Sequence, residues 1–242
     1  MMCNSDNRID EVLAIIPARG GSKGVEKKNL RLLRGIPLVA HSIISAKQSK
    51  HVTRTVVSTD DSEIVRVAGV YGVKSIDRPS EISGDEATSE EALAHALRFL
   101  EETDGYIPDL VVFLQPTSPF RLPNDIDNTV ELLLKENADS AFSSQVEHFT
   151  GRWRIGSDRK VMPINYQLDQ RPRRQDYPVE LVENGSIYVF RPEMFWKNGS
   201  RLGGEIVSYG MSPLRSLQID AEVDLKTLEA IMEAAQREND EK

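Results

Sequence analysis

Apolar runs of five to seven residues alternate along this chain with amphipathic segments of ten or more, and that alternation most constrains the fold. "VLAII" (12–16) reads as a fully buried strand closed by Pro17. "PLVAHSIISAKQS" (37–49) opens on a proline suited to a first helical position. "RTVVST" (54–59) is the next strand, and "DSEIVRVAGVYG" (61–72) a helix ending at Gly72. In "TSEEALAHALRFLEE" (88–102), Thr88 and Glu91 make a capping box, and Leu93, Ala96, Leu97 and Leu100 recur at helical spacing. "DLVVFLQ" (109–115) is a strand, "NDIDNTVELLLKEN" (124–137) a helix and "DSAFSSQ" (139–145) a strand. Strands joined by helices of this length build right-handed βαβ units, so the expected class is α/β, a mostly parallel sheet flanked by helices.

Between residues 147 and 184 aromatics, prolines and arginines mix without helical or strand period, which predicts an excursion too long for an ordinary loop. The regular pattern returns with "GSIYVF" (185–190), "EIVSYG" (205–210) and a closing helix near 222–238. The expected organisation is one α/β domain over 9–242, an inserted arm at 147–184 and a flexible tail at 1–8.

Charge narrows the function. The net charge of −8 weighs against general binding to nucleic acid or an anionic membrane. Residues 17–34 run against it: Arg19, Lys23, Lys27, Lys28, Arg31 and Arg34 face Glu26 alone, a local +5 that leaves −13 on the other 224 residues. A positive loop on a negative body suits one small anion held locally. Cys3 is the single cysteine, so no disulfide forms within the chain. "MMCNSDNRIDE" lacks the apolar stretch of a signal peptide, and no apolar run approaches the roughly 18 residues that span a bilayer. These features predict a soluble, cytoplasmic protein.

The loop after the first strand carries the chemistry. A glycine-rich turn leaving a parallel strand points backbone N–H groups at the carboxyl edge of the sheet, where α/β proteins bind ligands. Glycines let a bulky anion approach the main chain, and the cations neutralise it. The spacing is neither a Walker A loop nor GxGxxG. His41, His51, His95 and His148 form no metal-ligand spacing and pair with no nucleophile.

The string "ARGGSKGVEKKN" (18–29) resembles the signature A-R-x-x-S-K-x(4)-K-N of the acylneuraminate (CMP-sialic acid, CMP-nonulosonate) cytidylyltransferase family. The resemblance continues in order through "VVSTDDSEI" (56–64), "RPSEISGDEATS" (78–89), "LQPTSPFR" (114–121), "RPRRQDYP" (171–178), "ENGSIYVF" (183–190) and "IDAEVDL" (219–225). It implies a Rossmann-like nucleotidyltransferase sheet with an arm inserted for dimerisation. It also implies transfer of CMP from CTP to the anomeric hydroxyl of a nonulosonic acid, with release of pyrophosphate. N-acetylneuraminate is the favoured substrate, N,N′-diacetyllegionaminate the close alternative and 3-deoxy-manno-octulosonate a weaker one. Glu183, where many sialate enzymes carry an arginine, suits an extra amide or hydroxyl better than a second carboxylate.

By the same resemblance, Arg19 and Lys28 contact the phosphates, Lys28 stabilising charge on the α-phosphate, while Ser22 and Asn29 hold the nucleotide. Lys23 and Lys27 form an outer field, with a plain solvated face the favoured reading of Lys27. Arg78 and Ser89 line the cytosine and ribose pocket, with a surface salt bridge and a first-turn helical position as their bland readings. Gln115 contacts the acyl sugar, with Thr117 beside it; as a strand terminator Gln115 would be merely structural. Arg171 and Arg173 read either as a clamp on the sugar carboxylate, reaching a neighbouring subunit's site in a homodimer, or as a solvated basic turn. The family ends its last strand in D-x-D, which suits Mg²⁺ or Mn²⁺. Here the positions are Gln218 and Asp220, so Asp220 carries the metal assignment, with Gln218 reaching it through water. Asp220 reads equally as a helix N-cap, and Asp224 as a capping or structural group. Gln218 also motivates a reading of another class, a nucleotide-binding regulator that has lost catalysis.

Overall fold

The computed structural model describes residues 9–22, 24–148 and 150–240, so the expectations for Cys3, the tail at 1–8 and Lys23 lie outside the described residues. The first half runs β1 (Val12–Pro17), β2 (Leu32–Leu33), β3 (Ile36–Pro37), α1 (Leu38–Gln48), β4 (Arg54–Thr59), α2 (Ser62–Val70) and β5 (Lys74–Asp77). Then come α3 (Ser89–Asp104), β6 (Leu110–Leu114), α4 (Asp125–Lys135) and β7 (Ser140–Glu147). The remainder is β8 (Trp153–Ile155), β9 (Val161–Pro163), β10 (Glu180–Phe190), α5 (Pro192–Asn198), β11 (Ile206–Gly210) and α6 (Glu222–Asp240).

Seven strands form one sheet in the order β11-β7-β10-β6-β1-β4-β5. Only β10 runs antiparallel to its neighbours, so the α/β, mostly parallel expectation holds. β1 is apolar without alternation because both its faces are buried. Ala14 and Ile16 pack with Val39 and Ile43 of α1, Ile64 of α2 and Val130 of α4. Leu13 and Ile15 pack with Leu93, Leu97 and Leu100 of α3 and Phe195 of α5. A smaller cluster of Leu33, Leu38, Ile219, Leu225 and Leu228 fastens α6 and the segment before it over the β2–β3 pair.

Register positions the site. Ile15 lies opposite Val56 of β4 and Phe113 of β6, both parallel, so β1, β4 and β6 end together at one carboxyl edge. The chain crosses from β1 to β4 on one side and to β6 on the other, the topological opening where such sheets bind ligands.

Three departures from the sequence reading have local causes. β5 is an edge strand of four residues in which only Ile76 is buried, too short to announce itself. The helix α5, "PEMFWKN", spans barely two turns. β10 begins at Glu180, five residues before the expected 185. Residues 180–183 already pair with 144–147 of β7, and the register shifts between Glu183 and Tyr188, around Gly185. An Asn-Gly pair inside a strand looks like a break in sequence; here it is a bulge, with Gly185 at φ +67°.

The irregular segment holds a short β8–β9 hairpin whose exposed faces carry Trp153, Ile155, Val161 and Met162. Among the described residues no helix is long and apolar enough to cross a membrane.

Candidate active site

A cleft of about 460 Å³ opens at the shared carboxyl edge of β1, β4 and β6. Arg19, Ser22, Lys28, Asn29, Arg78, Ser89, Gln115, Thr117 and Asp220 all line it, gathering almost every site residue expected from the sequence. Gln218, Arg171 and Arg173 are not among its lining residues.

The loop after β1 is tied back on itself. Ser22 Oγ donates to Val25 O at 2.6 Å and accepts from Lys28 N at 3.0 Å. Asn29 Nδ2 donates to Arg19 O at 2.8 Å, bridging the ends of the turn. Ser22 and Asn29 therefore shape the loop as well as lining its cavity. Gly24 lies so close to the C-terminal segment that a β-carbon on it would come within 2.1 Å of Asp220 O, so only glycine allows the loop to dock there.

Lys28 carries that docking. Its Nζ donates to Ile219 O at 2.8 Å and Asp220 Oδ1 at 3.0 Å. The lysine side chain is 13% exposed and the aspartate 74%, so the carboxylate faces the open cleft. The N-cap reading of Asp220 fails: Asp224 instead accepts from Asp220 N at 2.9 Å and Ala221 N at 2.7 Å. Those two backbone bonds hold the Asp224 carboxyl below its ordinary range.

The loop's local charge of +5 shrinks on folding. Lys27 pairs with Glu63, Arg31 with Glu222, and Arg34 reaches Gln236, all at the surface. Lys27 belongs to a solvated face. Arg19 and Lys28 remain in the cleft, and Arg19 Nη1 spans it to Gly84 O at 2.6 Å and Asp85 Oδ1 at 3.0 Å.

Arg78 is 6% exposed, which overturns its surface salt-bridge reading. Its Nη2 donates to Ser58 O, while its buried Nε has no partner among the described residues. Burial pushes the guanidinium below its ordinary value, with nearby Asp60 opposing. Ser89 opens α3 immediately after Thr88, whose hydroxyl accepts from Glu91 N at 3.2 Å while Glu91 reaches back to Thr88 N at 2.7 Å. The capping leaves the Ser89 side chain to the cleft.

The opposite wall is built from strand ends. Gln115 follows β6; Thr117 O accepts from Ile219 N at 2.8 Å, stitching this turn to the Asp220 segment. Beneath it sits Arg121, which the sequence reading passed over although it closes "LQPTSPFR". Its guanidinium donates to Gln115 O at 2.8 Å, Ser186 O at 2.7 Å and Ser42 Oγ at 3.1 Å. Burial pushes it down to about 9, so it stays charged at neutral pH.

Arg201 is another residue the sequence does not announce. It pairs with Glu90 and lies 4.6 Å from the Tyr188 ring centroid and 5.2 Å from that of Phe113, a cleft residue. Tyr188 stacks on Phe113 and donates to Glu183 Oε2 at 2.8 Å. Burial foremost, then Glu183, pushes the Tyr188 phenol up to about 12.

Arg171 lies over Tyr166, 5.4 Å from its centroid, and Arg173 pairs with Asp176, both on the irregular segment and away from the cleft. Among the described residues no group of three or more His, Cys, Asp or Glu could hold a metal ion. The single open carboxylate of Asp220 instead fits a hard cation that one or two protein carboxylates share with substrate phosphates and water.

Comparison with known proteins agrees with this fold. A CMP:2-keto-3-deoxy-manno-octonic acid synthetase solved in complex with CTP has the same fold, with TM-score 0.68, 20% identity, and 93% of this chain and 100% of that one covered. N-acylneuraminate cytidylyltransferase A of Danio rerio is 37% identical over 88% of this chain, which spans 49% of that protein. The chain thus spans about half the length of the vertebrate relatives it matches. The CMP-N,N′-diacetyllegionaminic acid synthase of Legionella pneumophila is 34% identical over 93% of this chain and 97% of its own length. Residues 13–191, from β1 through β10 and hence every wall of the cleft except the Asp220 segment, match the family profile described as cytidylyltransferase, and the chain belongs to that family.

Proposed function

We propose that this protein transfers CMP from CTP to the anomeric hydroxyl of a nonulosonic acid of the sialic acid type, releasing pyrophosphate. The observation that carries the reading is the single cleft that joins Arg19 and Lys28 to Gln115 across the carboxyl edge of the sheet. A triphosphate fits against the cationic loop, its cytosine and ribose fit between Arg78 and Ser89, and a hydroxyl-rich sugar meets the Gln115 carboxamide. In-line attack then needs the two substrates end to end, which one continuous cleft supplies.

Arg19 and Lys28 neutralise phosphate charge, and Lys28 takes the charge that grows on the α-phosphate as pyrophosphate leaves. Binding a nucleotide draws Lys28 from Asp220 toward phosphate oxygen, leaving the Asp220 carboxylate for a divalent cation, Mg²⁺ or Mn²⁺. Such a cation, when bound, neutralises phosphate charge and orients the triphosphate. Asp220→Asn is expected to raise the Mg²⁺ concentration at half-maximal velocity about tenfold. An unchanged requirement in a Mg²⁺ titration would return Asp220 to tethering Lys28 alone.

Pyrophosphate release from CTP and Mg²⁺ with a panel of α-keto sugar acids tests the activity. Release with N-acetylneuraminate is the expected result. A preference for N,N′-diacetyllegionaminate is the second reading; it rests on Glu183, which lies outside the cleft lining but accepts from the Tyr188 hydroxyl, whose ring stacks on Phe113 of the cleft. CTP binding without release for any sugar acid supports the regulator instead.

The arm serves a homodimer in this proposal. Its apolar Trp153, Ile155, Val161 and Met162 are exposed on the single chain, and Arg171 and Arg173 stand clear of its own cleft. A guanidinium fork suits the sugar carboxylate in a second copy. Arg171→Ala is expected to raise the sugar KM about tenfold with CTP KM unchanged. At sugar concentrations well below KM, equal mixtures of Arg171→Ala and Lys28→Ala chains should turn over faster than the sum of the two alone; additive rates would refute cross-subunit sharing.

A further inference from the structure

Two carboxamides converge on one glycine beside the cleft, Gln115 from its lining and Gln218 from just outside it. A β-carbon on Gly185 would lie 2.6 Å from Gln115 Oε1 and 3.0 Å from Gln218 Nε2. Glycine is needed twice here, for its φ of +67° and for the space both amides occupy. Among the described residues neither side-chain amide has a hydrogen-bond partner; Arg121 and Ser118 N bond the Gln115 backbone carbonyl instead. Each carboxamide offers two donors and an oxygen with two lone pairs, so the pair leaves an unusual hydrogen-bonding capacity open.

The backbone beneath these amides is held tightly. Asn184 Oδ1 accepts from Ser143 Oγ at 2.6 Å and from Ser186 N at 3.1 Å, and its Nδ2 donates to Ser216 Oγ at 3.0 Å. Arg121 grips Gln115 O, and Ile219, next to Gln218, is fully buried. Side chains on so fixed a base are prepared for a ligand rather than for each other. Asp220 turns to Lys28 and the phosphate loop, whereas Gln218 turns to the β10 bulge and Gln115. The two positions of the D-x-D pattern thus serve different walls.

We infer that Gln218 binds the acyl sugar directly, forming with Gln115 a neutral clamp across Gly185, and is not a metal-facing group. The inference rests on the cytidylyl-transfer reading and deepens it. Two amides on one point suit a part of the sugar that donates and accepts together, an N-acyl group or neighbouring hydroxyls, and not its carboxylate.

The test compares the full chain with Gln218→Ala and Gln218→Glu in Mg²⁺, using N-acetylneuraminate and N,N′-diacetyllegionaminate as probes. Gln218 is exposed, so both variants should fold. The expected result is a sugar KM raised about tenfold in Gln218→Ala, with CTP KM and the half-saturating Mg²⁺ concentration unchanged. Saturation-transfer NMR of the sugar's acyl methyl on CDP-loaded protein should lose its signal in parallel, without turnover. Gln218→Glu should also raise the sugar KM and leave the Mg²⁺ requirement alone. A lowered Mg²⁺ requirement in Gln218→Glu, or an unmoved sugar KM in Gln218→Ala, overturns the inference. An unmodified chain that releases no pyrophosphate with either probe removes the transfer reading itself, and this assignment with it.

Discussion

Lys28→Ala is expected to lower kcat by about 10²–10³-fold while the melting temperature stays near that of the unaltered chain. The two halves of that result have separate causes. The ammonium is largely enclosed, at 13% side-chain exposure, and sits where the loop meets Asp220 at the cleft. Charge grows on the α-phosphate only as the bond to pyrophosphate breaks, so a cation fixed there acts chiefly on the transition state. In folding, Lys28 offers one ion pair to a carboxylate that is 74% exposed, an interaction worth about 1 kcal/mol or less. Its bond to Ile219 O adds a comparable amount, and neither holds the core. Steady-state pyrophosphate release and thermal unfolding by circular dichroism read the two halves. A near-normal kcat with a raised CTP KM would place Lys28 in ground-state binding and sink its proposed role.

Much of this arrangement was legible in the sequence because it is local. Arg19, Ser22, Lys28 and Asn29 fall within one string after one strand, and their mutual bonds span ten residues or fewer. Arg78, Ser89 and Gln115 lie far apart in sequence, but each follows a strand or opens a helix, and parallel topology brings those points to one edge. What stayed hidden depends on contacts that no pattern encodes. Lys28 and Asp220 are 192 residues apart, and their contact follows from the apolar seating of α6 on the β2–β3 pair. The loop's local charge overstates what reaches the cleft for a related reason: Glu63 and Glu222 are remote in sequence, yet they neutralise Lys27 and Arg31. Arg201 enters from a turn after a helix too short to predict. The Gln218 amide was assigned by its place in a pattern, and only the fold brings it to Gly185.

Arg121→Met should lower stability by about 3 kcal/mol, which for a chain this size is a fall of roughly 6–12 °C in melting temperature. A charge buried this completely is costly by itself, and replacing such groups with apolar ones can be neutral. The partners decide which effect wins. Arg121 binds the carbonyls of Gln115 and Ser186 and the hydroxyl of Ser42, none of which another described side chain replaces. Methionine fills the space but strips the buried Ser186 carbonyl of its guanidinium donors, at about 1–3 kcal/mol, and leaves Gln115 O to Ser118 N alone. Arg121→Lys keeps the charge but loses the fork, so it should recover only part of the loss. The same change should reach the chemistry, because the Gln115 carbonyl anchors the residue whose side chain is proposed to meet the sugar. Measured at a temperature where the variant remains folded, the sugar KM should rise while CTP KM holds. A melting temperature within roughly 2 °C of the parent would mean that the relieved burial of charge offsets the lost bonds, and Arg121 would then be no keystone of the cleft wall.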